Sequence, residues 1–488
     1  MRFARQNLPR VLRLLLIVLW VACVVPAGAT PLPATFKAAL AEAGIPLDAV
    51  ALVVQPVDAA RPVLAHQALR PMNPASVMKL VTSLAALDGL GPAYTWKTEV
   101  WANGTLNGRV LDGDLVIKGY GDPTLTLERL WLLQRELRAR GIGEVRGRLI
   151  LDTSHFALPA LDPGAFDGEP LAAYNAVPAA LLVNFNAIPL RLSASGDTVA
   201  VVPEFELPGL TIASRLVADD APCDDWKGRL THTLPDAAHR ELVLEGRFAR
   251  ACGEKRLNLN LLDPAATFDY AFRALWAESG GVIAGATELG TAPAGQPPLL
   301  RFESIPLGDA LRSLNKYSNN LMTRNLFLTL GAETYGAPAT LEKAERAVRA
   351  WLAAKGVAAP GLVLENGAGL SRAERIAAAT LAQLLHLAYR SANFSEFESA
   401  LPIAAVDGTL KKRFDDMALA GHAHLKTGTL KDVRALAGYV FDRTGRRVAV
   451  VLVVNHPAAE RAEPALRALL DWVYAAHAAR PARGRRRP

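Results

Sequence analysis

Three short motifs, far apart in the chain, constrain this sequence more than any other feature. They are Ser76-Val77-Met78-Lys79, Ser318-Asn319-Asn320 and Lys426-Thr427-Gly428, in that order. The first motif alone has little weight, because a serine and a lysine at this spacing arise by chance about once in a chain of this length. If the motif arose by chance, its serine would cap a helix and its lysine would be exposed to solvent. All three motifs in this order, each in a fitting local context, indicate one site assembled from distant segments.

The context of Ser76 predicts the start of a helix. Pro71 and Pro74 mark a loop before it, and apolar residues then recur at helical spacing. A helix N-terminus has free N–H groups that favour a developing anion. Lys79 lies one turn further on the same face, within reach of the Ser76 hydroxyl. Lys79 can accept a proton only if its pKa is lowered by burial or by a nearby cation, for which Lys426 is the candidate.

The other two motifs fall on a turn and on a strand. Ser318 follows a polar break and precedes a helical run, which places it on a turn between helices. Lys426 lies in an alternating run that predicts a strand, and residues 435–441 and 447–454 then give a strong hairpin signal. Gly428 has no side chain, so we expect a substrate to lie close against this strand. Together the motifs predict serine acyl-transfer chemistry.

The spacing of the motifs predicts a catalytic domain that is interrupted. More than 200 residues separate Ser76 from Ser318, and from about Trp96 they consist largely of short strands and turns. The region after Ser318 is rich in helical patterns. We therefore expect five segments: a signal peptide at 1–29, a first catalytic segment at 30–95, an insertion at 96–300, a second catalytic segment at 301–479 and a basic disordered tail at 480–488.

The first 29 residues have the pattern of a secretory signal peptide. Four arginines and no acidic residue occupy positions 1–13, an apolar run follows at 14–25, and Ala27-Gly28-Ala29 is a small-residue cleavage site. A membrane anchor is one alternative, although the apolar run is short for a span. A lipoprotein attached through Cys23 is another, although Trp20 stands where a lipobox has an aliphatic residue. We expect export to the periplasm.

Export to an oxidising compartment makes a disulfide between the remaining cysteines possible. After cleavage Cys223 and Cys252 remain, and an even pair in an exported chain predicts a disulfide, with two free thiols as the alternative. The bond would lie within the insertion and close a loop of about 30 residues.

The net charge of +7 arises from basic residues at the two ends of the chain. Four arginines in residues 1–13 and five in the tail at 480–488 carry nine positive charges, which leaves the body of the chain near −2. A basic groove for nucleic acid is therefore not expected. The tail is predicted to be a solvated end, with contact to anionic envelope polymers or lipid as the alternative.

Five further segments carry a family resemblance. They are Gly-Tyr-Gly-Asp-Pro-Thr-Leu at 119–125, Tyr-Asn-Ala-Val-Pro at 174–178, Val-Asn-Phe-Asn at 183–186, Glu-Asn-Gly-Ala-Gly-Leu-Ser-Arg at 365–372 and Leu-Pro-Ile-Ala-Ala-Val-Asp-Gly-Thr-Leu at 401–410. From about residue 35 to 455 the chain resembles the class C low-molecular-mass penicillin-binding proteins, the D-alanyl-D-alanine carboxypeptidase/endopeptidase family. The resemblance implies an α/β (α+β) catalytic domain of the serine transpeptidase/β-lactamase-like type, with a large strand-rich insertion in two parts. One departure is Pro-Gly-Ala-Phe at 163–166, where the family often has a tryptophan.

The resemblance and the chemistry of the side chains assign the same catalytic roles. Ser76 is expected to attack the carbonyl between two D-alanines, and Lys79 to act as the general base. Ser318 would relay a proton to the leaving amine together with Lys79. Asn320 would hydrogen-bond the substrate amide.

Substrate recognition is expected mainly from the third motif. Lys426 and Thr427 would hold the terminal carboxylate of the substrate, the group that a β-lactam mimics. The backbone N–H groups of Ser76 and Thr429 would form the oxyanion hole. By resemblance, Arg372 is a candidate for binding the carboxylate of a diaminopimelate side chain. The alternative is a loop arginine that satisfies backbone carbonyls.

The expected partners are peptidoglycan stem peptides and cross-links, with β-lactam antibiotics as inhibitors. A β-lactamase is a second hypothesis, disfavoured because no Glu-x-x-x-Asn deacylation element is recognisable. A non-catalytic cell-wall-binding protein is a third, disfavoured because the motif serine, lysine and asparagine are all present. Carboxypeptidase and endopeptidase action both remain open. No cofactor or metal is implied, since His422 and His424 have no third ligand at a convincing spacing.

Overall fold

The computed structural model describes residues 31–234 and 241–476. The predicted signal peptide at 1–29 and the predicted basic tail at 480–488 lie outside the described residues. Within the two described ranges, the model contains no helix that combines the length and the apolar character needed to cross a bilayer.

Strands and helices come in blocks along the chain. In chain order the strands are β1 (Val50–Pro56), β2 (Leu64–His66), β3 (Pro71–Met72), β4 (Lys97–Asn107), β5 (Val110–Gly119), β6 (Glu144–Val145), β7 (Leu149–Asp152), β8 (Ile188–Ser195), β9 (Thr198–Pro203), β10 (Thr211–Asp219), β11 (Leu230–Thr233), β12 (Glu241–Ala249), β13 (Glu254–Leu259), β14 (Val282–Ile283), β15 (Thr287–Leu289), β16 (Leu300–Glu303), β17 (Ile376–Ala377), β18 (Ala423–Leu430), β19 (Val433–Phe441) and β20 (Arg447–Asn455). The α-helices are α1 (Ala34–Glu42), α2 (Lys79–Gly89), α3 (Leu127–Ala139), α4 (Pro264–Glu278), α5 (Leu307–Lys316), α6 (Asn320–Tyr335), α7 (Leu341–Ala354), α8 (Ala378–Arg390), α9 (Phe394–Ala400) and α10 (Glu463–Ala476).

A five-stranded antiparallel sheet brings the two ends of the described chain together. Its order is β18-β19-β20-β1-β2, so that β1 pairs with β20 across nearly the whole sequence. Side chains alternate between two cores: Val450 and Leu452 pack with α1 and α10, whereas Val451 and Val453 pack with α2, α6 and α8. Burial of both faces explains why these strands are continuous apolar runs in the sequence.

Helix α2 is the central helix on one face of this sheet. All residues from Lys79 to Leu87 are buried, and α2 contacts α5, α6, α7 and α8. Three of these buried residues, Lys79, Thr82 and Ser83, are polar and lie among apolar neighbours. Each fully buried leucine contributes about 2 kcal/mol, so packing fixes the position of the residues at the N-terminus of α2.

The long interval between the first two motifs contains two larger sheets. One has the path β14-β6-β5-β4-β16, with β7 and β15 paired to its side, and the other has the order β11-β12-β10-β9-β8-β13. Both sheets, α3 and α4 contribute to one core, of which Leu300 is a member. Trp96 and Leu307 belong instead to the core around α2. The exact segment boundaries at 96 and 300 stay a prediction.

A disulfide ties two parts of the six-stranded sheet together. Cys223 and Cys252 are bonded, with Cα atoms 4.9 Å apart and a sequence separation of 29. Cys223 follows β10 and Cys252 follows β12, and these two strands are parallel neighbours. The bond therefore joins the ends of one strand pair.

We expect the disulfide to stabilise this sheet by about 3 kcal/mol, because it closes a loop of about 30 residues in the unfolded chain. The double substitution Cys223→Ser/Cys252→Ser should lower the denaturant midpoint at which the insertion unfolds. Alkylation of the folded, unreduced protein should modify neither thiol. Complete modification of both without a reductant would contradict the bond.

Candidate active site

The predicted nucleophile lies directly before the central helix. Ser76 is in the 3-10 turn Ala75–Met78, which leads into α2. Ala75 is fully buried with a φ of +46°, and Ser318, on the turn between α5 and α6, has a φ of +56°. Left-handed backbone at non-glycine residues costs on the order of 1–3 kcal/mol, and it persists only where the surroundings enforce it. Both serine motifs are thus held in conformations imposed by their neighbours.

The side chain of Lys79 connects three distant segments. Its Nζ lies 2.9 Å from Ser76 Oγ, 2.7 Å from Asn320 Oδ1 and 2.5 Å from the carbonyl oxygen of Ala368. A lysine ammonium has three donors and no acceptor, so the charged form donates to all three oxygens. In the neutral form two N–H groups still serve Asn320 and Ala368, and the lone pair can face the Ser76 hydroxyl. The geometry therefore fits a lysine that accepts the serine proton.

The surroundings of Lys79 favour this neutral form. Its side chain has no exposed surface. The pKa of Lys79 is well below its ordinary value, first because burial penalises the charged form and second because the positive charge of Lys426 is near. Glu374 acts in the opposite direction. The expectation that a second lysine lowers the pKa of Lys79 is met, but burial is the larger cause.

Lys426 is bonded to the second serine of the site. Its Nζ donates to Ser318 Oγ at 2.8 Å and to the carbonyl of Thr427 at 2.8 Å. Burial lowers the pKa of Lys426 to about 7. The sequence predicts that Ser318 acts together with Lys79, and this role stays a prediction. In the structure the hydrogen-bond partner of Ser318 Oγ is Lys426, whereas Asn320 Oδ1 accepts from Lys79.

Asn320 links the catalytic helices to the insertion. Its Oδ1 accepts from Lys79, and its Nδ2 donates to the carbonyl of Tyr174 at 3.1 Å. Tyr174 lies in the short 3-10 turn Ala173–Asn175, between β7 and β8. One of the two Nδ2 protons is used by this bond. The contact with Tyr174 was missed at the sequence level, where residues 174–178 contributed only to the family resemblance.

The structure adds a backbone contact as a reason for glycine at position 428, while the expected contact with substrate stays a prediction. A Cβ atom at this position would lie 2.4 Å from the carbonyl oxygen of Pro74. The strand therefore approaches the backbone of the loop before Ser76, and a side chain would separate the two motifs. Thr427 is nearly buried, with its hydroxyl 3.2 Å from that of Thr409, whereas Thr429 is exposed on the same strand.

Arg372 lies at a cavity of about 840 Å³. Its Nη1 is 3.0 Å from Asp432 Oδ1, and its guanidinium group lies over the ring of Phe166 at 4.6 Å. Both partners of the ion pair are about half exposed. Such a pair is worth about 0–1 kcal/mol, so an incoming carboxylate can compete with Asp432. The carbonyl-satisfying contacts are made by Arg375, which donates to the carbonyls of Arg372 and Glu374.

The site is built from side chains and backbone carbonyls. Among residues 31–234 and 241–476, no group of three or more His, Cys, Asp or Glu side chains is placed to hold a metal ion. Besides the Tyr174 carbonyl, sequence reasoning missed the Ala368 carbonyl as a partner of Lys79. A backbone carbonyl leaves no signature in residue identity, and the only available signal was the glycine-rich run at 365–370.

We expect Lys426→Ala to impair acylation by peptides and by penicillin alike. Loss of a charge-assisted contact to a carboxylate costs about 2 kcal/mol, which is roughly a 30-fold lower acylation rate. Loss of the positive charge also raises the pKa of Lys79, so the acidic limb of the acylation rate should move to higher pH. The measurement is the pH dependence of the acylation rate constant.

Lys426→Arg provides the matched control, because it keeps a positive charge at the same place. The acidic limb should not move to higher pH in Lys426→Arg, even if the larger side chain slows acylation. If Lys426→Ala changed neither the rate nor its pH dependence, the assignment of the third motif would be wrong.

Comparison with known proteins identifies the family of the chain. A family model described as the D-Ala-D-Ala carboxypeptidase 3 (S13) family matches residues 32–476. The D-alanyl-D-alanine carboxypeptidase DacB of Haemophilus influenzae is 28% identical over 392 residues, covering 79% of this chain and 80% of the relative. A D-alanyl-D-alanine carboxypeptidase of an Actinomadura species is 30% identical over 396 residues, covering 75% of this chain and 70% of the relative.

Solved structures give the same result for the fold. The crystal structure of penicillin-binding protein 4 (dacB) from Haemophilus influenzae superposes with a TM-score of 0.74 at 25% identity, covering 90% of this chain and 99% of that chain. The same protein complexed with a β-lactam gives a TM-score of 0.69 at 25% identity, covering 87% and 96%. The predicted fold class and the predicted family are confirmed. From residue 32 to residue 476, this chain belongs to the D-Ala-D-Ala carboxypeptidase 3 (S13) family.

Proposed function

We propose that this protein is a serine-type D-alanyl-D-alanine carboxypeptidase that acts on peptidoglycan stem peptides through an acyl-enzyme on Ser76. The observation that carries this proposal is the contact of a fully buried Lys79 with the Ser76 hydroxyl at 2.9 Å, in a member of the S13 family. A nucleophile and its base at hydrogen-bond distance, with the base oriented by a third group, are the requirements of covalent catalysis. Here Asn320 is the orienting group.

In the proposed acylation step, Ser76 Oγ attacks the carbonyl carbon between the two D-alanines while Lys79 takes the hydroxyl proton. The resulting oxyanion is held by the backbone N–H groups of Ser76 and Thr429, each worth about 3 kcal/mol. The C–N bond then breaks, and the terminal D-alanine leaves once its nitrogen has gained a proton. The hydrogen bond from Lys426 to Ser318 supports Ser318 as the donor of that proton, which Lys426 would replace.

Deacylation completes the cycle with the same groups. The proton that Lys79 took from Ser76 first replaces the one that Lys426 gave up, so both lysines return to their starting states. A water molecule then gives a proton to the neutral Lys79 and attacks the ester carbon, and the C–O bond to Ser76 breaks as Ser76 Oγ takes that proton from Lys79. The terminal carboxylate of the incoming substrate would be held by Lys426 and Thr427. An endopeptidase reaction follows the same steps when the leaving amine belongs to a cross-linked neighbouring stem peptide.

The proposal extends to location and inhibition. Peptidoglycan lies outside the cytoplasm, which fits the signal-peptide pattern at 1–29 and export to the periplasm. A β-lactam presents a reactive amide next to a carboxylate, so it would occupy the same site and acylate Ser76. The basic tail at 480–488 is predicted to be a solvated end, with contact to anionic envelope polymers or lipid as the alternative.

A labelled penicillin should acylate the mature protein at Ser76, and Ser76→Ala should abolish the labelling. The control is Ser154→Ala, which removes an exposed serine and should label like the wild type. Peptide mapping by mass spectrometry locates the adduct. An adduct on another residue would contradict the assignment of Ser76 as the nucleophile.

The lifetime of that adduct separates the three hypotheses. A penicilloyl-enzyme that hydrolyses slowly supports the peptidase, because water is poorly placed once the ring-opened antibiotic fills the site. Rapid turnover of penicillin would identify a β-lactamase. Absence of labelling in folded wild-type protein would favour the non-catalytic hypothesis.

We expect Arg372→Ala to impair only substrates whose third residue carries a carboxylate on its side chain, as diaminopimelate does. A charge-assisted contact at a half-exposed site is worth about 1 kcal/mol, or roughly a five-fold lower kcat/KM. The comparison uses paired peptides with a diaminopimelate or a lysine side chain at that position. Equal losses for both peptides would contradict this role of Arg372.

A further inference from the structure

Glu374 is a buried carboxylate outside the three motifs. Its side chain has no exposed surface. Oε1 accepts hydrogen bonds from three successive backbone N–H groups, those of Glu365, Asn366 and Gly367, at 3.1, 3.0 and 2.9 Å. Within the described part of the chain, Oε2 is buried and has no hydrogen-bond partner. Successive amides that converge on one oxygen form a concave anion site, so the carboxylate fixes the conformation of the loop at 365–369.

The loop at 365–369 packs against the start of α2. The Ala368 carbonyl accepts from Lys79 Nζ, and the Gly367 carbonyl accepts from Thr82 Oγ1 at 2.7 Å. Gly369 has a φ of +77°, and a Cβ atom there would lie 1.8 Å from the carbonyl oxygen of Ala75. The loop therefore contacts the residue before the nucleophile, the general base and the next turn of the helix.

The charge of Glu374 also acts on Lys79. Two charged groups influence Lys79: Lys426 on β18, which lowers its pKa, and Glu374, which raises it. The other contacts of Lys79 Nζ, namely Ser76, Asn320 and the Ala368 carbonyl, are neutral. Burial raises the pKa of Glu374 itself, while the three N–H groups and Lys79 oppose that effect. The two buried groups thus stabilise each other's charged forms.

We propose that Glu374 is a positioning residue for the general base: its carboxylate holds the Ala368 carbonyl against Lys79, and its negative charge offsets the positive charge of Lys426. This inference rests on the proposed function, in which Lys79 accepts the Ser76 proton. A general base works best when its proton affinity is close to that required at the working pH. Burial and Lys426 together weaken the basicity of Lys79, and Glu374 restores part of it.

Glu374→Gln tests the charge with little change of shape. The glutamine carbonyl oxygen can still accept from the three backbone amides, whereas the negative charge is lost. Removing a nearby negative charge lowers the pKa of Lys79, so the acidic limb of the acylation rate should move to lower pH by about one unit. Glu42→Gln is the control, because it removes a solvent-exposed carboxylate at the end of α1 and should leave the limb in place.

Glu374→Asp tests the geometry with the charge kept. The side chain is one methylene shorter, so it cannot hold all three amides and keep the loop in the same position. The acylation rate should fall about ten-fold, an effect of the size that a small misplacement of a catalytic group produces, while the acidic limb stays near that of the wild type. Both measurements use penicillin acylation of the full mature chain, with circular dichroism to confirm that each variant is folded.

Two results would overturn the proposal. One is an acidic limb in folded Glu374→Gln that coincides with that of the wild type, and the other is a wild-type acylation rate in Glu374→Asp. If Glu374→Gln fails to fold, Glu374→Asp still decides, because a rate loss in a folded variant supports positioning and an unchanged rate refutes it. Labelling that persists in Ser76→Ala would reject the proposed function instead, and it would do so whatever the Glu374 variants show.

Discussion

A lysine without exposed surface is the constraint on which the rest of the site depends. Burying a charged ammonium is costly, so Lys79 either becomes neutral or finds compensating partners. The structure supplies both routes, with three oxygens around Nζ and with Lys426 nearby to disfavour the charge. These oxygens come from the turn before α2, from the start of α6 and from the loop at 365–369, so the fold must bring together segments nearly 300 residues apart.

The insertion is part of this site. Tyr174, within the long interval between the first two motifs, accepts a hydrogen bond from Asn320, and Arg324 on the next turn of α6 donates to the carbonyl of Ala176 at 2.9 Å. Two consecutive turns of one catalytic helix therefore hold the segment at 174–176. The insertion also supplies Phe166, over which Arg372 lies at the cavity. The cavity beside Arg372 and the contacts of Asn320 thus both include residues from the long interval between the first two motifs.

The sequence predicts the local secondary structure and the three catalytic motifs. It does not predict the hydrogen bonds that distant segments form in the folded chain. The hairpin of β19 and β20, the helix after Ser76 and the turn at Ser318 follow from periodicity and turn residues. The pairing of Ser318 with Lys426 depends on a left-handed turn that residue identity does not reveal. The sequence also gives no sign that the absence of a side chain at Gly428 makes room for the Pro74 carbonyl. Backbone carbonyls and the carboxylate of Glu374 contribute to the site only through their positions in the folded chain. Motif spacing in the sequence does not predict these positions.

The central claim is that Lys79 is largely neutral in the free enzyme and therefore able to accept the Ser76 proton. The most direct test is an NMR titration of the folded protein with lysine labelled at the side-chain carbon next to Nζ, with the Lys79 signal assigned by its loss in Lys79→Arg. The Lys79 signal should titrate well below the ordinary lysine value of about 10.4. A Lys79 signal that titrates at that ordinary value would show that Lys79 stays charged and cannot accept the Ser76 proton.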